Sequence, residues 1–268
     1  MLDGAKPAMV ITVVCLSGGS GKTTTALNLA TMLSHYGKTL AVDFDPQGNL
    51  SQWMGHTDLS DSATMAETVL TGTDRVSISD IIRPPLNEDR QERLWLAPSD
   101  YSLSRAMDGV ALEPGRELFL RRALKPILKN YQFLVIDSPP AKGLLTYNTI
   151  LAADYLVVPT ECTQKGVMGA LSTMILVKEL AELDFDVPEV LGILPTREQW
   201  AGNKRTKMSK AALEALGELL QGIRIFPSLK QSTVVQQTNS MGWSLAEAGE
   251  ELLAEPYRDV VNLVLSKR

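Results

Sequence analysis

One stretch, Val10–Thr25, restricts the folds open to this chain more than any other: VITVVCLSGGSGKTTT. Val10, Ile11, Val13 and Val14 form a β-branched apolar run, the pattern of a strand buried on both faces. Gly18, Gly19 and Gly21 then turn the chain into a helix beginning at Lys22. Strand, glycine turn and helix N-terminus together make an anion site, because consecutive backbone N–H groups converge and the helix dipole adds positive potential. The amine of Lys22 suits β- and γ-phosphates, and the Thr23 hydroxyl suits a Mg²⁺ ion. A purely structural turn gives no reason for that pair. The general pattern GxxxxGK[ST] needs glycine at position 16, where this chain has Leu16, so the match is to the variant GGxGK[ST]. The expected nucleotide contacts are Gly18, Gly19, Ser20, Gly21, Lys22, Thr23 and Thr24.

Beyond the turn, apolar runs alternate with helical periodicity to the end of the chain. Strands are expected at 39–44, 94–97, 133–137, 155–159, 190–194 and 223–226. Helices are expected at 22–36, 47–54, 62–70, 99–107, 116–129, 167–182, 205–220, 244–253 and 257–266. This alternation predicts an α/β fold, a mainly parallel twisted sheet flanked by helices on both faces. The 268 residues are near the upper size for one hydrophobic core, which favours a single domain over 9–268, with 1–8 read as a leader. The polar stretch 71–92, with its NEDRQER run, reads as a surface insertion.

A net charge of −5 argues against a globally basic nucleic-acid binder, although it leaves room for a local patch. Cys15 and Cys162 offer neither a disulfide framework nor zinc spacing and read as buried thiols. No apolar run is long enough to span a bilayer, and residues 1–8 lack a signal-peptide core, so a cytoplasmic protein is expected.

Three loops should meet at the carboxyl edge of such a sheet. One holds Lys22 and Thr23, one Asp43 and Asp45, and one Asp137, which closes the run FLVID in the Walker B manner. Thr23, Asp43 and Asp137 are the expected metal-side residues, and Asp45 is placed to polarise an attacking water.

GGSGKTT, AVDFDPQGN at 41–49, PSDYSLSRA at 98–106 and LVIDSPPAKGLLT at 134–146 together resemble the ParA/MinD group of deviant Walker ATPases, on the ParA side of it. The resemblance implies an ATP-sandwich homodimer with Mg²⁺-dependent hydrolysis. It also implies sequence-independent DNA binding, an adaptor protein that stimulates hydrolysis, and cargo positioned over the nucleoid. Pro195 and Thr196 match where the family contacts the base, with Pro227 nearby.

The family pattern has a lysine ahead of GGxGK[ST] that reaches the partner's phosphates, and this chain has Ser17 there. Serine supplies no cation, and a cation donated in trans is worth roughly 10³–10⁵ in rate in related phosphoryl transfers. Lys165 and Lys142 are the candidate replacements. Serine with a relocated lysine resembles the carboxysome-distributing subgroup, McdA.

A DNA face is expected at Lys204, Arg205, Lys207 and Lys210, with Lys230 in the next loop, although a solvated helix face has the same composition. Competing readings are a plasmid or chromosome partition ATPase, a MinD-like membrane switch using the terminal helix, an amide-forming synthetase, and a scaffold that binds ATP without hydrolysing it.

Overall fold

The computed structural model describes residues 7–60, 62–69, 76–84 and 93–268. In chain order the elements are β1 (Met9–Val13), α1 (Lys22–Ser34), β2 (Thr39–Asp43), α2 (Asn49–Trp53), α3 (Met65–Val69), α4 (Ile78–Ile81), β3 (Leu94–Ala97), α5 (Ser102–Gly109) and α6 (Phe119–Leu124). They continue with β4 (Phe133–Asp137), α7 (Leu144–Leu151), β5 (Tyr155–Glu161), α8 (Gln164–Glu182), β6 (Glu189–Thr196), β7 (Trp200–Ala201), β8 (Lys204–Arg205), α9 (Lys207–Leu219), α10 (Thr233–Ser240) and α11 (Glu251–Ser266).

Six strands form one parallel sheet in the order β3-β2-β4-β1-β5-β6. Strand alternation assigns the faces. Ile11, Val13, Ala41 and Val135 share one core with α1 and α11, through Leu27, Leu33, Tyr257 and Val260. Val10, Leu40, Val42, Leu134 and Ile136 face the other way, against α3, α5 and α6. Helix α1 packs on the sheet and against α11, which itself reaches β6, and α1 is buried at every position except Thr23. With no face left to solvent, its six apolar and seven polar side chains show no stripe, and the polar ones other than Thr23 are buried, Asn28 and Ser34 bonding backbone carbonyls of the same helix. The sheet therefore matches the fold class expected from sequence, and both cysteines are buried free thiols.

Several element boundaries differ from expectation. β5 and β6 run on through Pro159 and Pro195, because the pairing continues as far as Glu161↔Thr196. The segment 223–226 contributes only a single bridge, Ile193↔Ile225, rather than a strand. The two expected terminal helices are one, with Pro256 inside it, and α10 was not anticipated. Within the expected surface insertion, Ile78 and Ile81 are buried and Arg83 bridges Leu96, so that part packs on the domain. The charged run at 87–92 lies outside the described residues.

Candidate nucleotide site

The strand register gathers the acids. Asp137 is paired with Val13 on one side and Asp43 on the other, so two carboxylates end neighbouring strands beside the phosphate loop. Ser138 Oγ donates to the Val13 carbonyl at 2.9 Å, and the Phe44 N–H donates to the Asp137 carbonyl at 3.0 Å, which ties the three strand ends together. The loop enters α1 through Gly21, whose φ of 88° lies where side chains are disfavoured.

Lys22 is 7% exposed, and its Nζ donates to the Ser17 carbonyl at 3.0 Å, so the amine is folded back along its own loop. Burial pushes its pKa down, while Asp137, Cys15 and Asp45 hold it up.

Asp43 and Asp137 are both fully buried, but they are not equivalent. Asp43 accepts from the Ser51 N–H at 2.9 Å, the Ser51 hydroxyl at 2.7 Å and the Asp45 N–H at 3.2 Å. Burial still raises its pKa to about 7 against those donors. Neither carboxylate oxygen of Asp137 has a hydrogen-bond partner. Burial first, and then the neighbouring Asp43, push its pKa well above the usual range; the Thr23 hydroxyl and Lys22 oppose that only in part. A bare buried carboxylate is costly. Two orphaned oxygens beside Thr23 have the chemistry of a hydrated Mg²⁺ site. Asp45 sits one step outward, 7% exposed, accepting from the Gln47 N–H at 3.0 Å, and burial raises its pKa as well.

Beyond the loop lies a cleft of about 300 Å³, lined by Gly21, Thr24, Thr196, Arg197, Lys230 and Asn239 among others. Thr196 Oγ1 donates to the Ser20 carbonyl at 2.9 Å, and Asn239 Nδ2 donates to Thr24 Oγ1 at 2.8 Å. Of the residues expected near the base, Thr196 lines this cleft; Pro195 is buried in β6, and Pro227 is exposed and outside the lining. The opposite wall, 229–236 and α10, was missed. Its one sequence signal is the polar run KQSTVVQQTN, which carries no motif.

Ser17 is buried, and a Cβ placed on Gly169 of α8 would lie 2.5 Å from its Cβ. Position 17 therefore packs on α8. Lys165 is exposed on the first turn of the same helix, which Thr163 caps by accepting from the Gly166 N–H at 3.2 Å. Lys142 is also exposed, but Glu179 accepts from it at 2.5 Å.

Known proteins are similar to this chain in sequence and fold. A family profile described as "AAA domain" matches residues 8–186. Maintenance of carboxysome distribution protein A of Synechococcus elongatus is 37% identical over 255 residues, covering 94% of this chain and 98% of that protein. Chromosome partitioning protein ParA of Myxococcus xanthus is 35% identical over 191 residues, 69% of this chain and 65% of that one. A structure of a Cyanothece McdA variant in complex with ATP aligns at TM-score 0.90 and 33% identity, covering 97% of each chain.

The chain belongs to the ParA-like P-loop ATPases.

As a ParA-like ATPase the chain binds and hydrolyses ATP. The five cations expected on its DNA face are all exposed. Lys204 and Arg205 stand on the β7–β8 hairpin rather than on a helix, and Lys207 and Lys210 open α9. Arg205 pairs with Glu198, which is only 2% exposed, and Lys210 lies 3.7 Å from Glu214. The hairpin also carries Trp200, whose ring has the Lys230 ammonium 4.4 Å from its centroid. No helix among the described residues is long and apolar enough to cross a membrane.

Proposed function

We propose that this ATPase is a nucleotide-gated homodimer that binds DNA without sequence preference and positions carboxysomes, with an adaptor protein stimulating hydrolysis. The cargo reading rests on the McdA relatives, which are named for carboxysome distribution. Thr23 and Asp137 would hold Mg²⁺, with Asp43 behind them, and the ion would neutralise charge on the phosphates. Lys22 takes the β- and γ-phosphates, and Asp45 orients the attacking water.

The observation that carries the dimer reading is the contrast between the two lysines. Lys142 is neutralised by Glu179, whereas Lys165 carries no ion pair among the described residues and stands on the helix packed against Ser17. Lys165 is accordingly the cation that crosses to the partner's phosphates in place of a lysine at 17. The DNA face consists of Lys204, Arg205, Lys207, Lys210 and Lys230, each neutralising phosphate in a salt-sensitive way. Its doubling in the dimer makes binding depend on ATP through avidity. On this reading the protein acts in the cytoplasm, on the nucleoid.

Lys165→Ala is expected to keep ATP binding, lose ATP-dependent dimerisation and slow turnover at least 100-fold, while Lys142→Ala behaves as the parent. Wild-type turnover in Lys165→Ala removes the reading. Replacing Lys204, Arg205 and Lys207 by glutamine is expected to weaken ATP-dependent DNA binding at least tenfold and to flatten its salt dependence. A MinD-like membrane role is disfavoured, because Tyr257, Val260, Val261 and Val264 of α11 are buried against the sheet.

A further inference from the structure

Arg197 directly follows the last residue of β6 and has a φ of 52°. Among described residues the only other non-glycine with positive φ is Asp184, at a helix end. Asparagine and aspartate tolerate that region through local hydrogen bonds of a short side chain; arginine has no such compensation. Neighbouring bonds impose the conformation on Arg197. On one side the Cys162 N–H donates to the Thr196 carbonyl at 2.9 Å. On the other, the Glu198 N–H donates to the Leu229 carbonyl at 2.8 Å and the Gln231 N–H to the Glu198 carbonyl at 2.9 Å. Strain of this kind collects at ligand clamps.

The strained backbone aims the guanidinium at the phosphate loop. Arg197 Nη1 lies 3.6 Å from where a Cβ on Gly19 would be, and Arg197 lines the cleft beside Gly21 and Thr24. Its partner there is weak: Glu161 Oε1 is 3.9 Å away, and the arginine side chain is 49% exposed. Such a pair contributes little and is readily exchanged. A phosphate chain bound over Gly19 offers the planar fork a better, bidentate partner.

We propose that Arg197 is a nucleotide-contacting residue that leaves Glu161 and binds the phosphate chain of a nucleoside di- or triphosphate across the loop from Lys22. The proposal rests on ATP binding by residues 18–24. It supplies from the same subunit a cation that Ser17 does not, and it acts before any dimer forms. Glu161 competes with the nucleotide for it.

The test is equilibrium binding of ADP and ATP at protein concentrations where the chain is monomeric. It uses Arg197→Gly, which keeps the φ without the guanidinium, together with Arg197→Lys and Glu161→Gln. Arg197→Gly is expected to bind ADP about tenfold more weakly, with an unchanged or higher thermal midpoint in the nucleotide-free state. Arg197→Lys should recover part of the loss, and Glu161→Gln should bind two- to threefold more tightly. Arg197→Gly binding within twofold of the parent overturns the proposal, as does an equal loss in the glycine and lysine variants. If the parent itself binds neither nucleotide, the ATPase reading fails first and this one with it.

Discussion

The two walls of the cleft are built in opposite ways. The phosphate-loop wall is contiguous, and Ser20, Lys22, Thr24 and Thr25 on it are polar side chains buried in the domain. The far wall is assembled from the end of β6, the segment 229–233 and α10, and its charged members Arg197 and Lys230 are exposed. Backbone N–H groups can grip phosphate only where consecutive residues turn together, so that wall has to be local in sequence. A wall that shapes a cleft with side chains can draw them from anywhere. On the proposed function the first wall is expected to carry most of the binding and the second to tune it.

The sharpest test of that contrast is Lys22→Ala. It is expected to weaken ATP binding on the order of 100-fold, the range for a buried charge-assisted contact to phosphate. Calorimetric titration measures it, and a loss under threefold breaks the comparison.

The next effect comes from the buried acids. Burial holds both Asp43, at about 7, and Asp137 above the ordinary carboxyl range, so the folded chain keeps protons that the unfolded chain releases. For Asp43 that contribution to stability is complete below pH 4 and disappears as pH rises through about 7; the raised Asp137 acts in the same direction. Urea unfolding of the nucleotide-free chain should therefore show a loss on the order of 1–4 kcal/mol between pH 5 and pH 8. Asp137→Asn removes the titrating group and keeps its shape. It should flatten this slope and raise the pH 8 midpoint while weakening the Mg²⁺ dependence of ATP binding. A flat profile in the parent contradicts the assignment.

Gly169→Ala is expected to cost about 1–3 kcal/mol by overpacking Ser17. Adding Ser17→Gly should restore part of that, a non-additivity that a double-mutant cycle measures. The smallest effect belongs to the far wall. Asn239→Ala loses one hydrogen bond to Thr24 and should weaken ATP by about three- to tenfold. A loss as large as that of Lys22→Ala would show that the walls share the work.

The parallel sheet was legible because its strands are uninterrupted apolar runs, and the phosphate loop because its glycines must be adjacent. Pro159 and Pro195 misled, since proline donates nothing to a ladder and so reads as a strand end. Past each, the pairing survives on neighbours, with the Leu229 N–H donating to the Pro195 carbonyl at 2.8 Å. Helix α10, TVVQQTNS, has no apolar stripe to announce it; its place is fixed by the Asn239 bond to Thr24 and by Ser232, which caps it. Arg197 carried no signal at all, because a left-handed arginine is imposed by tertiary hydrogen bonds and not by its neighbours in sequence. The basic cluster was visible as charge, but its hairpin was not, since two-residue strands leave no periodicity.

Trp200 has an optical consequence. Its indole N–H donates to Glu198 at 2.6 Å, while the Lys230 ammonium over its ring belongs to the wall of the cleft. Indole emission shifts colour with the electric field across the ring, so displacing that ammonium changes the light the residue gives off. With the other three of its four tryptophans replaced by phenylalanine, the protein becomes its own fluorescent indicator of an occupied cleft, readable in a stopped-flow cuvette without a dye.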